Sequence, residues 1–147
     1  MKIFISSDHA GFAMKQKVVD FLKTNKAHDF EVFDLGPQSE ERTDYPDHAD
    51  QVIAEIKKNP TAMGVLLCGS GQGMAMRANK YPFIRAALCW NEESAQLARA
   101  HNDANVLCLG ARLLPESDLF AAIKAFVSTA FEGGRHADRV KKLSNPV

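Results

Sequence analysis

The sequence predicts an α/β fold in which a parallel five-stranded sheet is covered by helices on both faces. Short apolar runs of strand length alternate with amphipathic stretches of helix length, the pattern of repeated βα units. Ile3 to Ile5 and Met63 to Leu67 are apolar runs, whereas Phe30 to Leu35 alternates imperfectly; five such strands alternating with helices imply a parallel sheet covered on both faces. The clearest junction, Met63 to Lys80, passes from an apolar run through Gly69, Gly71 and Gly73 directly into a helix-compatible stretch.

Taken in order, Ile3 to Ile5 is the first strand, broken by Ser6-Ser7-Asp8-His9-Ala10-Gly11. Phe12, Met14, Val18, Val19 and Leu22 then mark one face of a helix reaching about Lys26. Phe30 to Leu35 is a second strand stopped by Gly36-Pro37, and Gln38 to Asp44 is a loop. Tyr45-Pro46-Asp47 opens a helix carried by Ala49, Val52, Ile53 and Ile56 to Asn59-Pro60. Met63 to Leu67 is the third strand, and the helix after its glycine loop ends near Lys80. Arg85 to Cys89, Asn91 to about His101, Val106 to Leu109 and Pro115 to Phe131 follow as strand, helix, strand and helix. Beyond Gly133-Gly134, the basic tail from Arg135 to Lys142 is expected to be helical.

With 147 residues, 46% hydrophobic and 24% charged, the chain suits one domain spanning residues 1–147. Eighteen basic and eighteen acidic residues cancel, which argues against nucleic-acid or membrane partners. Met1-Lys2-Ile3-Phe4-Ile5 enters a strand without signal-peptide architecture, so a cytoplasmic location is expected. The three cysteines, Cys68, Cys89 and Cys108, lack metal-type spacing. Cys89 and Cys108 fit core packing.

Gly69, Gly71 and Gly73 allow a tight bend that brings backbone N–H groups toward an anion, and the following helix adds its positive end. The third glycine comes one position too early for the G-x-G-x-x-G dinucleotide fingerprint, and no Lys-Ser/Thr pair follows for a nucleotide P-loop. Met74 stands where a cysteine phosphatase needs arginine. What remains is a cradle for negative charge with Cys68 at its lip, a position that favours a reactive thiol over a merely structural one.

Ligands of open parallel sheets sit beyond the carboxyl ends of the strands. That rule gathers Asp8, His9, Tyr45, the Cys68 to Gly73 loop and Arg112. Asp8 equally suits capping of the first helix, and His101-Asn102 suits a helix C-terminus whose place relative to the site does not follow from spacing. His28 and His48 fit surface or helix positions. Arg135 and Arg139 lie one helical turn apart, either as a solvated basic face or as a phosphate clamp.

Taken together, Ser7-Asp8-His9-Ala10-Gly11, Asp44-Tyr45-Pro46, Cys68-Gly-Ser-Gly-Gln-Gly-Met-Ala-Met-Arg-Ala-Asn79-Lys80, Ala100-His101-Asn102-Asp103-Ala104-Asn105 and Gly134-Arg135-His136 resemble the ribose-5-phosphate isomerase B family. Allose- and galactose-6-phosphate isomerases share much of the pattern. The resemblance spans nearly the whole chain and implies a Rossmann-like three-layer α/β/α sandwich acting as a homodimer or dimer of dimers. In that family the active sites form between subunits, and a C-terminal helical arm, here residues 132–147, is expected to contact the partner.

By the same resemblance, Cys68 is the base that moves a proton between C1 and C2 of an open-chain sugar phosphate. Relatives with serine at this position use a glutamate in the following helix; here Gln72, Met74 and Ala75 leave the thiol as base. Ser70 serves proton traffic at the sugar oxygens, and His101, beside Asn102, opens the furanose ring. Asp8 and Tyr45 meet the sugar, while Gly69, Gly71, Gln72 and Gly73 supply backbone donors. His9, Arg112, Arg135 and Arg139 bind phosphate, the last two from a partner chain. No metal or organic cofactor is expected. A six-carbon sugar-phosphate isomerase and a non-catalytic phosphosugar-binding module are the other readings.

Overall fold

The computed structural model describes residues 1–25 and 29–145. The expected end of the first helix at Lys26 and the assignment of His28 lie outside the described residues. The elements are β1 (Lys2–Ser7), a 3-10 helix (His9–Gly11), α1 (Phe12–Thr24), β2 (Glu31–Asp34), α2 (Tyr45–Lys58), β3 (Met63–Cys68) and α3 (Gln72–Ala78). They continue with β4 (Ala86–Leu88), α4 (Glu92–Asn102), β5 (Val106–Gly110), α5 (Glu116–Ser128), a second 3-10 helix (Gly134–His136) and α6 (Ala137–Ser144).

All strand pairings are parallel and the order is β2-β1-β3-β5-β4. The fold is the expected α/β, Rossmann-like arrangement. Side-chain alternation splits the core between two faces. Ile3, Ile5, Val65, Leu67, Leu107 and Leu109 pack with Val18, Leu22, Ile123 and Phe126 of α1 and α5. Phe4, Leu66, Cys68, Val106 and Cys108 pack with Val52, Ile53, Ile56 and Met74 of α2 and α3. This two-sided burial explains the continuous apolar runs, and each buried Leu or Ile contributes about 1.5–3 kcal/mol.

Local chemistry sets the helix ends. At the start of α4 the Asn91 side chain accepts the Ser94 N–H while Ser94 Oγ accepts the Asn91 N–H, a reciprocal cap. The helix expected to reach Phe131 stops three residues earlier, at Ser128. There the Ser128 and Thr129 hydroxyls donate to the carbonyls of Lys124 and Ala125, at 2.8 and 2.7 Å, and Thr129 is extended. The basic tail divides into the second 3-10 helix and α6, whose residues are all at least partly exposed.

Strand order reverses between β1 and β3, since β2 lies on one side of β1 and β3 on the other. The loops after β1 and β3 therefore flank a crevice at the carboxyl edge, the position where such sheets bind ligands. Register aligns Ser7 with Leu67, and the Asp8 N–H donates to the Leu67 carbonyl at 3.1 Å, joining the two loop bases. No helix among the described residues is long and apolar enough to cross a membrane.

Candidate active site

Cys68 ends β3 on the face covered by α2 and α3, and only 5% of it is exposed. Its Sγ nevertheless points to the loop, where the Gly71 N–H donates to it at 3.1 Å. Gly71 has φ +78° and precedes α3 directly, so the turn folds the loop back over the sulfur. The Gln72 N–H donates to Ser70 Oγ at 3.4 Å. Two cradle amides thus serve the loop's own sulfur and hydroxyl.

The neighbouring strand fixes the other side of the loop. Ala111 N–H donates to the Cys68 carbonyl at 2.8 Å and Arg112 N–H to the Gly69 carbonyl at 3.1 Å. The Arg112 side chain runs alongside Gly69, where an added Cβ would lie 3.6 Å from its Cδ. Gly110 is the last residue of β5, one beyond the strand expected to end at Leu109. A Cβ there would come within 2.8 Å of the Ser70 carbonyl, so this residue allows the cradle to lie against β5. The signal for it is a glycine at the carboxyl end of a strand beside the loop.

Asp8 caps the first 3-10 helix, with Oδ1 accepting from the Ala10 and Gly11 N–H groups at 2.9 and 3.1 Å. His9 Nδ1 lies 3.3 Å from the Thr43 carbonyl and 3.4 Å from the Thr43 N–H, which draws the loop before α2 toward the crevice. Thr43 acts through its backbone and leaves no side-chain signature in the sequence. Tyr45, the first residue of α2, lays its ring against Gly73, where a Cβ would sit 2.6 Å from Cε2 and Cζ.

That approach depends on how α2 and α3 are tied together. Arg77 Nε and Nη2 donate to the two carboxylate oxygens of Asp50 at 2.8 and 2.7 Å, and the Tyr81 hydroxyl donates to the same group at 2.9 Å. The Arg77 hydrogen bonds hold the Asp50 carboxyl below the usual range against the opposing effect of partial burial. In return, the Asp50 hydrogen bond raises the Tyr81 phenol.

Asp8, His9, Tyr45, Cys68, Gly69, Ser70, Gly71, Gln72, Gly73 and Arg112 thus gather at the carboxyl edge of the sheet. His101, Asn102, Arg135 and Arg139 do not join them. α4 runs back antiparallel to the strands, and the Gly64 N–H bonds the Asn105 carbonyl at 2.9 Å, so the end of α4 lies at the amino edge. His101 stacks on His136 with ring centroids 4.2 Å apart, and the Glu132 N–H holds the connector to the Ala100 carbonyl at 3.0 Å. Burial, then His101, then Arg135 push the His136 imidazole below its ordinary value, with Glu132 acting in the opposite direction and Arg139 a weaker contributor.

The remaining singled-out residues are structural. Burial pushes the Cys89 thiol up to about 11 and raises Cys108 further, as befits core sulfurs. His48, read as a surface or helix residue, is a buried helix residue with Nδ1 3.3 Å from Ser6 Oγ. Among the described residues, one cluster groups three metal-ligating side chains: His101, Glu132 and His136, at the edge away from Cys68. Two adjoining concavities of about 570 and 480 Å³ run beside edge strand β4, the first lined by Gln72 and Met76 and the second by Asn102 and Leu143.

Fold and crevice define a class, a Rossmann-like α/β protein with a thiol, a hydroxyl and an arginine at the switch point of its sheet. Residues 3–143 match the family described as Ribose/Galactose Isomerase. Ribose-5-phosphate isomerase B of Escherichia coli (strain K12) is 40% identical over 143 residues, covering 97% of this chain and 94% of that protein. The crystal structure of a ribose 5-phosphate isomerase from Thermotoga maritima superposes with a TM-score of 0.93 at 46% identity, covering 99% of this chain and 98% of that one. Ribose-5-phosphate isomerase B from Mycoplasma genitalium with bound ribulose-5-phosphate gives a TM-score of 0.91 at 43% identity, covering 97% and 93%. The chain belongs to the ribose/galactose isomerase family.

Proposed function

We propose that this chain interconverts ribose 5-phosphate and ribulose 5-phosphate, with Cys68 as the base. The observation that carries this reading is the Gly71 N–H aimed at Cys68 Sγ within a loop already tied to Arg112. As a thiolate, Cys68 takes the C2 proton of the open-chain aldose and returns it to C1 of the enediolate. A base so positioned accelerates the reaction by about 10²- to 10⁴-fold. The Gly71 amide steadies the sulfur anion, and the 69–73 backbone and Ser70 serve the sugar oxygens as charge moves onto them. Asp8 and Tyr45 hold sugar hydroxyls, and His9 and Arg112 hold the phosphate.

The active site is completed by a second subunit. β5 alone runs five residues, roughly 13–17 Å of extended chain, between the edge carrying His101 and the edge carrying Cys68. Proton transfer needs contacts of about 3 Å, so within one chain His101 and Cys68 cannot act on the same sugar. A partner therefore supplies His101 for ring opening and Asn102 beside it. Arg135 and Arg139 of that partner's C-terminal arm clamp the phosphate. The concavities beside β4, with Met76 and Leu143 exposed on them, suit the seat of such a partner. A cytosolic homodimer, or a dimer of dimers, is the implied assembly.

Incubation with ribose 5-phosphate in heavy water tests the chemistry. Deuterium at C2 of recovered aldose, with growth of ketose signals by NMR, is expected from the wild type. Cys68→Ala should show neither while still binding the phosphosugar by calorimetry; a Cys68→Ala protein that isomerises at the wild-type rate removes Cys68 as base. Parallel kcat/KM values for ribose, allose and galactose phosphates rank the five-carbon substrate first, and a six-carbon substrate in first place would reassign it.

A further inference from the structure

His101, Glu132 and His136 bring ligating atoms within 4.8 Å of one another. Glu132 Oε2 stands 3.7 Å from Nε2 of His101 and 3.7 Å from Nε2 of His136. Zinc with bonds of about 2.0–2.2 Å places tetrahedral ligands about 3.4 Å apart, so each Glu132–histidine pair closes on an ion with a contraction of about 0.3 Å. The two imidazole nitrogens, within 4.8 Å of each other, draw together by up to about 1.4 Å. The imidazole planes are only 6° from parallel and must splay for their lone pairs to converge. Histidine χ2 is a broad torsion, and the His101 side chain, 36% exposed, has room to turn.

The three ligands come from separate segments that main-chain bonds already hold together. His101 lies in the last turn of α4, Glu132 is bonded through its N–H to Ala100, and His136 through its N–H to Gly133. Arg135 and Arg139 stand near His136 and oppose a cation. Binding must then come from direct coordination by imidazole, which selects borderline ions such as zinc over magnesium or calcium with their preference for oxygen ligands.

We propose that His101 Nε2, Glu132 Oε2 and His136 Nε2 form a zinc site with an open fourth position, and that filling it withdraws His101 from catalysis. The site itself is independent of the proposed isomerisation; its inhibitory effect rests on that reading, through the ring-opening role of His101.

Cobalt chloride titrated into the full chain, with zinc chloride as competitor, tests the site by visible absorption. The wild type should develop d–d bands, zinc should displace them, and magnesium should not. Cys68→Ser should keep the bands, whereas Glu132→Gln and His136→Ala should weaken binding at least about tenfold, the loss expected even from removing an outer-shell partner. Absence of bands at millimolar cobalt, d–d bands abolished in Cys68→Ser, or unchanged affinity in both Glu132→Gln and His136→Ala overturns the proposal. Glu132 is exposed, so its variant keeps the test decisive if His136→Ala misfolds. In activity assays, zinc should inhibit the wild type reversibly with EDTA, and Glu132→Gln should resist by the same factor. Equal inhibition of both proteins sinks the inhibitory claim. Metal bound at the cluster without inhibition leaves the site standing and overturns the inhibitory claim, whereas the ring-opening role is tested separately by the turnover of His101→Ala.

Discussion

At Gly73, helix propensity and the site pull in opposite directions. Alanine in a helix is favoured over glycine by about 1 kcal/mol, yet a Cβ here would stand 2.6 Å from the Tyr45 ring. Tyr45 is 41% exposed and can swing outward, so the clash is relieved by moving the site and not by unfolding it. Gly73→Ala should therefore keep or raise the thermal midpoint while lowering kcat/KM roughly tenfold or more, as small misplacements in a site do. Unchanged kinetics would show that Tyr45 does not shape the sugar pocket. Cys68 was legible at this scale because an apolar run delivers it to a glycine loop. The backbone of Thr43 and the contact of Gly110 with Ser70 were not, since each acts through atoms every residue shares or through a missing side chain.

Elements are held at the crevice by two ion pairs of different character. Lys15 of α1 has no exposed side-chain surface and donates to both oxygens of Asp34 of β2 at 2.6 Å; the same carboxylate accepts the Gly36 N–H at 2.9 Å. Asp34→Ala leaves a buried ammonium without its partner and should cost roughly 3–5 kcal/mol in urea unfolding, whereas the pair Lys15→Met with Asp34→Leu should recover most of that. Asp50 of α2, paired with Arg77 of α3, is more exposed, and its effect is best read from pH. Its folded carboxyl titrates below the ordinary value, chiefly through the Arg77 hydrogen bonds. Its stabilising contribution is complete above the unfolded value and drains away as pH falls through the folded one. Wild type should thus lose more thermal stability than Asp50→Asn between about pH 5 and about pH 3; parallel acid limbs in calorimetry would deny Asp50 that role. β1, β3 and β5 were legible because burial on both faces writes continuous apolar runs, while the edge strand β2 shows only imperfect alternation. The end of α5 was not, because the Ser128 and Thr129 hydroxyls compete for carbonyls that periodicity alone leaves to the helix.

Across the whole molecule, strand spacing located the carboxyl-edge residues of the proposed site but did not place His101 relative to them. The rule that gathers loops after strands is silent about residues closing a helix before one, and strand order emerges only from long-range pairing. Cys68 and His101 lie at opposite edges of one sheet, which makes the proposed subunit sharing testable without a structure of the complex. Cys68→Ala and His101→Ala should each be inactive alone. In a two-fold dimer that shares its sites, a mixed dimer of the two has one doubly damaged site and one site built from intact Cys68 and intact His101. Random exchange from equal amounts makes half the dimers mixed, so co-refolding or co-expression should restore about a quarter of wild-type turnover. Sites contained within single chains give no recovery, because every chain then carries a lesion in its own site. Restored turnover, with a sedimentation coefficient above that of a monomer, would identify the edge far from the thiol as the half that each subunit lends to its neighbour.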